Sequence, residues 1–312
     1  MIANGVTGEG AALIRKAQDV QGRSLWVDAW RRLLRNRAAV SSIIVLSAIT
    51  LMAILAPLLS QYTYDEQNYN IISCSPNWWS AANASCNAGG THWFGTDNLG
   101  RDLFVRVLYG ARVSMAVGLT ATLVSLVIGV AYGAITGYLG GRIDALMMRA
   151  VDVLYSLPFI FFVIILMVVF QRNFYLLFIA IGAVEWLTMA RIVRGQTLSL
   201  KQKEFIEAAR ASGVGPMGIV RRHIVPNVLG PVVVYVTLTI PAAILAESFL
   251  SFLGLGIADP MTSWGVLIAD GTNQMETAPW MLIFPAAFMA VTLFCFNFIG
   301  DGLRDALDPK DR

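Results

Sequence analysis

No Gly-Lys pair occurs in this chain, because each of its four lysines (Lys16, Lys201, Lys203 and Lys310) follows some other residue. A phosphate-cradling P-loop requires Gly-x4-Gly-Lys-Ser/Thr, so that backbone N–H groups and the lysine surround the phosphates. That loop is excluded. Histidine is equally scarce: His92 and His223 are the two in the sequence. They cannot build a His-based metal cluster, and neither has a positional partner for a Ser/His/Asp set. The three cysteines, Cys74, Cys86 and Cys295, lack the spacing of haem or iron–sulfur ligands. No catalytic residue, metal site or intrinsic enzyme activity is therefore expected. Charge is also sparse, at 14% of residues against roughly 25% in a soluble domain.

Apolar length takes the place of charge. Charge-free runs of about 20 residues recur, enough to cross ~30 Å of hydrocarbon as helix. The chain reads as an all-α membrane protein with six transmembrane helices, at about 38–59, 108–138, 153–171, 174–192, 229–250 and 281–300. The second is charge-free from Val113 to Gly141 and rich in glycine, so it is expected to tilt or to project past the bilayer. Pro158, Pro241 and Pro285 fall within spans. Pro241 removes a backbone bond and crowds the Thr237 carbonyl, which predicts a kink. With the N-terminus in the cytoplasm, 19 of the 23 Lys and Arg lie on the cytoplasmic side, and the bias of positive charge to that side predicts both termini inside. The net charge of +3 is spread between spans and does not suggest nucleic acid.

Residues 1–37 read as a polar tail followed by an interfacial amphipathic helix over 23–37, with Trp26, Trp30, Leu33 and Leu34 on one side and Arg31, Arg32 and Arg35 on another. It can brace a partner subunit or simply anchor orientation against lipid. Residues 38–59 are too long an apolar run for a signal-peptide core and read as a signal anchor. Residues 60–107 form an external loop, 108–300 a five-helix core, and 301–312 a short cytoplasmic tail. Cys74 and Cys86 share the external loop, whose compartment permits a disulfide worth ~3 kcal/mol, although two free thiols are the alternative.

The large cytoplasmic feature is loop 193–228. Lys201 to Ser212 reads as a short helix with Phe205, Ala208, Ala209 and Ser212 on a small apolar face and Lys203, Glu207 and Arg210 on a charged one. Gly213 suits the left-handed stop of that helix. Pro216 suits the first turn of a second helix carrying Arg221, Arg222 and His223 and ending before Pro226. A solvated membrane-hugging loop is the plain alternative to a docking platform. In-span carboxylates are Glu185 and Glu247. Each costs ~2.5–3.5 kcal/mol to bury unpaired, so each is expected to face a partner, a cavity or the translocation path. Asp97 is placed to cap the helix entering the second span. With Arg101 and Asp102 it forms either a rigid turn or an external gate that meets a delivery protein.

Glu207-Ala208-Ala209-x3-Gly213 with downstream Pro226 resembles the coupling loop of permeases from binding-protein-dependent ABC importers. Four further segments are similar to the second permease subunit of dipeptide and oligopeptide importers: Phe94-Gly-Thr-Asp97-x2-Gly100-Arg101-Asp102, Glu247 to Gly256, Ser263-Trp264-Gly265 and Asn297-x2-Gly300-Asp301. His223 replaces the usual aliphatic residue and matches the peptide-importing branch. The terminal runs resemble its oligopeptide members. The resemblance spans nearly the whole chain. It implies a type I ABC importer permease fold in the cell inner membrane and alternating access. It further implies a heterodimer with a homologous permease subunit, two ATPase subunits holding ATP and Mg, a periplasmic peptide-binding protein and a peptide substrate. It places Glu207, Ala208, Ala209 and Gly213 at the ATPase contact, near Arg221 and His223. Related systems carry dipeptides, cell-wall peptides or nickel chelates. The rivals outside the family are a stand-alone secondary transporter, with Glu185 and Glu247 as a proton relay, and a non-transporting scaffold.

Overall fold

The computed structural model describes residues 25–79, 86, 90–170 and 174–307. The N-terminal polar tail, the Trp26 side chain and the last residues of the C-terminal tail lie outside what is described. Two helices, α1 (Leu25–Leu33) and α2 (Arg37–Leu59), meet at Asn36. Its side-chain oxygen accepts from the N–H groups of Ala38 and Ala39 at 3.1 and 3.2 Å, satisfying donors that a helix start leaves free. The face of α1 divides differently from the sequence expectation. Ala29 and Leu33 pack inward with Ala39 and Ala306, while Trp30 and Leu34 stay exposed.

Beyond the loop that follows α2 come α3 (Leu103–Leu139), α4 (Gly141–Ser156), α5 (Phe159–Val169), α6 (Phe174–Leu200), α7 (Glu204–Ala211), α8 (Pro216–Ile219), α9 (Val225–Phe252), α10 (Trp264–Thr272) and α11 (Trp280–Leu307). Among the described residues, α2, α3, α6, α9 and α11 are each long and apolar enough to cross a bilayer. The run read from sequence as the span 153–171 is not one helix. It falls within the pair α4 and α5, bent by 81° between them, which counts as a sixth candidate crossing only if the two are taken together. Proline explains the break: Pro158 has no N–H to continue the ladder, and it pushes Leu157 into extended backbone, ψ 129. By contrast α9 runs unbroken through Pro231 and Pro241. At 37 residues, α3 is about 55 Å long and does project past a ~30 Å core.

The α3–α6 seam organises the bundle. Gly129, Gly133 and Gly137 recur every fourth residue on α3 and face α6. A Cβ at Gly133 would lie 2.4 Å from the Ala190 carbonyl oxygen, one at Gly129 2.6 Å from Met189 Cβ, and one at Gly137 2.7 Å from Thr197 Cβ. Small residues at this spacing let two backbones approach closely where lipid supplies no hydrophobic drive. At one end of the bundle Val130, Ala134, Met189, Val193, Ile206 and Ile219 form an apolar cluster joining α3, α6, α7 and α8. At the other, Leu103, Val107, Trp264, Trp280 and Met281 join α3, α10 and α11.

Candidate functional site

Four groups of residues were singled out by sequence, and the structure places them apart. The first is the α7 platform. Ile206 and Ala209 are buried in the apolar cluster beneath it, while Glu207 and Ala208 are exposed. The expected pairing of both alanines on a docking face is thus corrected. Ile206 is the one bulky aliphatic side chain well placed to seat the helix, and Ala209, one turn on, is drawn in with it. The outward surface is Glu207, Ala208 and Phe205, and Met217 of α8 is exposed as well. Gly213 has φ +80, and the Val214 N–H reaches back to the Ala209 carbonyl at 3.1 Å, closing the helix as a left-handed stop does. Pro216 opens α8. The second helix does not end before Pro226. A π turn, Val220–Ile224, carries Arg221 and His223 straight into α9. The wider i→i+5 spacing shifts the ladder by one residue, so a proline in the first turn of α9 forfeits nothing that the turn needs. Arg221 is exposed and His223 half-buried.

The second group is an ion network joining the loop before α3 to α3 itself and to the loop between α9 and α10. Asp97 Oδ2 lies 2.6 Å from Arg101 Nε and 3.3 Å from Arg106 Nε. Its Oδ1 accepts from the Leu99 and Arg101 N–H groups, both at 2.9 Å. Arg101 reaches Asp259 at 2.9 Å. Burial pulls the Arg101 pKa down, but Asp97 and Asp259 outweigh it and hold the guanidinium above its ordinary value. Burial pushes the Asp270 carboxyl up, partly offset by Arg106. The capping expectation is corrected: Asp102, not Asp97, caps α3, accepting from the Val105 N–H at 2.8 Å, and it also meets His92 Nδ1 at 2.8 Å. Asp97, Arg101 and Asp102 are only 2%, 2% and 4% exposed, so they stiffen the loop and offer no direct surface to a delivery protein. Cys74 and Cys86 are bonded, with Cα atoms 5.7 Å apart, which settles the alternative of free thiols.

Glu247 is the third. It is fully buried, and it accepts from Ser263 Oγ at 2.6 Å and Ser251 Oγ at 2.7 Å, with Ser114 Oγ at 3.5 Å. Ser114 in turn accepts from the Trp264 N–H at 3.1 Å. This carboxylate fastens α3, α9 and α10 together. The expectation that it lines a translocation path is therefore corrected: its oxygens are consumed by hydroxyls of the protein. Glu185 is the fourth, and its surroundings are opposite. It is half-buried on the wall of a cavity of about 400 Å³ shared with Tyr155, Ser156, Pro158, Phe162 and Thr188.

Sequence reasoning overlooked the glycine stripe of α3, although Gly-x3-Gly repeated is a readable signal. It also overlooked Arg106 and Asp259, for which no local motif exists, and it took Ser263-Trp264-Gly265 as a family motif without reading it as the capped start of helix α10.

Two family models match the chain. The binding-protein-dependent transport system inner membrane component matches residues 125–312, and the N-terminal TM domain of oligopeptide transport permease C matches residues 24–76. The oligopeptide transport system permease protein OppC of Escherichia coli (strain K12) is 60% identical over 294 residues, 94% of each chain. The protein of that name from Bacillus subtilis (strain 168) is 45% identical, covering 93% of this chain and 91% of its own. The dipeptide transport system permease protein DppC of the same organism is 44% identical over 96% of this chain and 90% of its own. Among solved structures, a chain from inward-facing conformations of the MetNI methionine ABC transporter superposes with a TM-score of 0.54 at 20% identity. The match covers 66% of this chain and 98% of that one. That likeness carries the fold, a type I ABC importer permease. The chain belongs to the inner membrane components of binding-protein-dependent transport systems, in the oligopeptide permease C branch.

Proposed function

We propose that this chain is one of two homologous permease subunits of an ATP-driven importer that carries oligopeptides across the inner membrane by alternating access. The similarity to oligopeptide permease C proteins along nearly the whole chain supports the substrate class. Within the structure the carrying observation is α7: a short helix rooted in the bundle by Ile206 and Ala209, with Glu207 and Ala208 turned outward. A helix held so firmly from below suits a partner that pushes on it from outside. That partner is a cytoplasmic ATPase, one of two, which supplies ATP and Mg because this chain has no P-loop. The chain itself is non-catalytic. A periplasmic peptide-binding protein delivers cargo to the other face, and both termini are cytoplasmic, a reading that the distribution of Lys and Arg supports. Each ATP-dependent state need only be bound by the ATPases better than its alternative for the bundle to switch.

Ala208→Cys tests this reading. In the assembled importer a short crosslinker from that position should capture an ATPase subunit, and proteoliposomes should take up tetra-alanine only with ATP and both ATPases present. Uptake by the isolated chain would favour a secondary transporter and refute the reading.

A further inference from the structure

Glu185 lies within the span-length helix α6, on the wall of the cavity of about 400 Å³ between α6 and the α4–α5 bend. Cavities of ~300–1,000 Å³ are the size of small-ligand sites. Its floor is apolar, with Leu157, Pro158 and Phe162, and its polar groups are Glu185 and the hydroxyl-bearing residues Tyr155, Ser156 and Thr188. Tyr235, on α9, sits near enough to act electrostatically on Glu185, and its hydroxyl reaches Thr188. The cations nearby are already engaged. Arg191 pairs with Asp152 at 2.8 Å and stacks on the Tyr155 ring, and Arg194 pairs with Asp144 at 2.6 Å. Among the described residues no cation pairs with Glu185. Glu247 is the control within the same molecule: three serines surround it and leave no room for a visitor.

An ionised carboxylate in a span without a cation is disfavoured by ~2.5–3.5 kcal/mol. The protein keeps one here, on the wall of an open cavity whose lining includes hydroxyl-bearing residues, with no cation among the described residues paired to it. Resting on the peptide-importer reading, we propose that Glu185 is a substrate-binding residue: its carboxylate receives the primary ammonium group of the passing peptide inside this cavity. Every unblocked peptide carries an N-terminal ammonium group whatever its sequence, primary unless proline comes first. One carboxylate can therefore serve cargo of many sequences, while the apolar floor accepts varied side chains without selecting among them.

The complete importer in proteoliposomes tests this, with tetra-alanine as the probe. Maximal uptake by Glu185→Gln should fall about tenfold, in line with loss of one partner from a desolvated charge pair. The concentration giving half-maximal uptake should stay unchanged, because the delivery protein sets it, and ATP hydrolysis should continue. Glu185→Asp should restore a large part of the rate. A tetrapeptide with a diazirine on its first residue should label residues 183–188 of the wild type during turnover, a readout independent of how any variant folds. Wild-type uptake by Glu185→Gln would overturn the proposal, as would equal loss in the Asp and Gln variants or labelling elsewhere. Loss of the second permease subunit from the Gln variant would also overturn it, marking Glu185 as an interface residue. Failure of the wild type to move tetra-alanine would instead sink the importer reading and this inference with it.

Discussion

Alanine at Gly133 and alanine at Gly195 should move stability in different directions, although the two glycines lie on adjacent helices of one seam. At Gly133 the new Cβ would stand 2.4 Å from the Ala190 carbonyl oxygen and 2.8 Å from Val193 Cβ, against an ordinary contact of 3.4–4 Å. Both neighbours belong to α6, and the nearer is backbone, so the helices must part by about 1 Å. A radial gap of that size forfeits roughly a quarter to a half of the dispersion well of every atom pair along the seam. At Gly195 no atom lies within 4 Å of the new Cβ. Both variants gain the same helix propensity, ~0.5–1 kcal/mol, so the difference between them isolates the clash. Overpacking costs ~1–3 kcal/mol, and Gly133→Ala should be the less stable by that amount. Heating the purified protein in mild detergent and measuring the fraction that stays monodisperse reads this directly. Equal survival of the two variants would refute the argument that backbone approach at the α3–α6 seam sets the role of the glycine stripe.

Other perturbations reach the remaining sites. Gly213 has φ +80 with open space around it, so Gly213→Val strains only the backbone, by ~1–2 kcal/mol. Insertion should survive while tetra-alanine uptake per ATP hydrolysed drops, and normal coupling would count against a docking role. Asp270 has its folded pKa raised by burial. The native state then holds its proton longer than the unfolded chain, and stability falls as pH rises from the ordinary carboxylate value to the raised one. Asp270→Asn should remove that decline, so a wild-type minus variant difference that stays flat from pH 4 to 7 would exclude it. Cys86→Ser opens a loop of sequence separation 12, a loss of ~3 kcal/mol in the chain-entropy account, read as increased proteolysis of the loop between α2 and α3. A protease-resistant variant would show that the Asp97 network alone holds that segment.

The crossings are legible in the sequence because apolar runs of span length have few other uses, and the α7 stop because left-handed backbone favours glycine. The third crossing misleads because hydropathy averages over Pro158, whereas geometry does not. Glu247 and Glu185 look alike as carboxylates in apolar runs. What separates them is nonlocal: Ser114 and Ser263 lie 133 and 16 residues from Glu247, and only the folded bundle brings them together. Asp97 and Asp102 compete for one cap at the same level of plausibility. The choice is settled by Arg101 and Arg106, which hold Asp97 in the loop and leave Asp102 to the helix.

The helix that carries Glu185 also reaches the proposed docking helix α7. Leu200 closes α6 against the cluster that seats Ile206 and Ala209, about 22 Å along the axis from Glu185 at 1.5 Å per residue. A lever of that length must not bend. Gly129, Gly133 and Gly137 zip α6 to α3 along this stretch, so a displacement delivered at α7 would arrive at the cavity as motion of a helix pair rather than as curvature of one helix. The opposite wall is built differently: α4 and α5 are broken at Leu157–Pro158, where proline has removed the backbone ladder. A stiff wall facing a jointed one changes the width of the space between them when only the stiff wall is driven. If α7 is the driven element, that asymmetry puts Glu185 on the stiff wall, where the ammonium group of the proposal would travel with it.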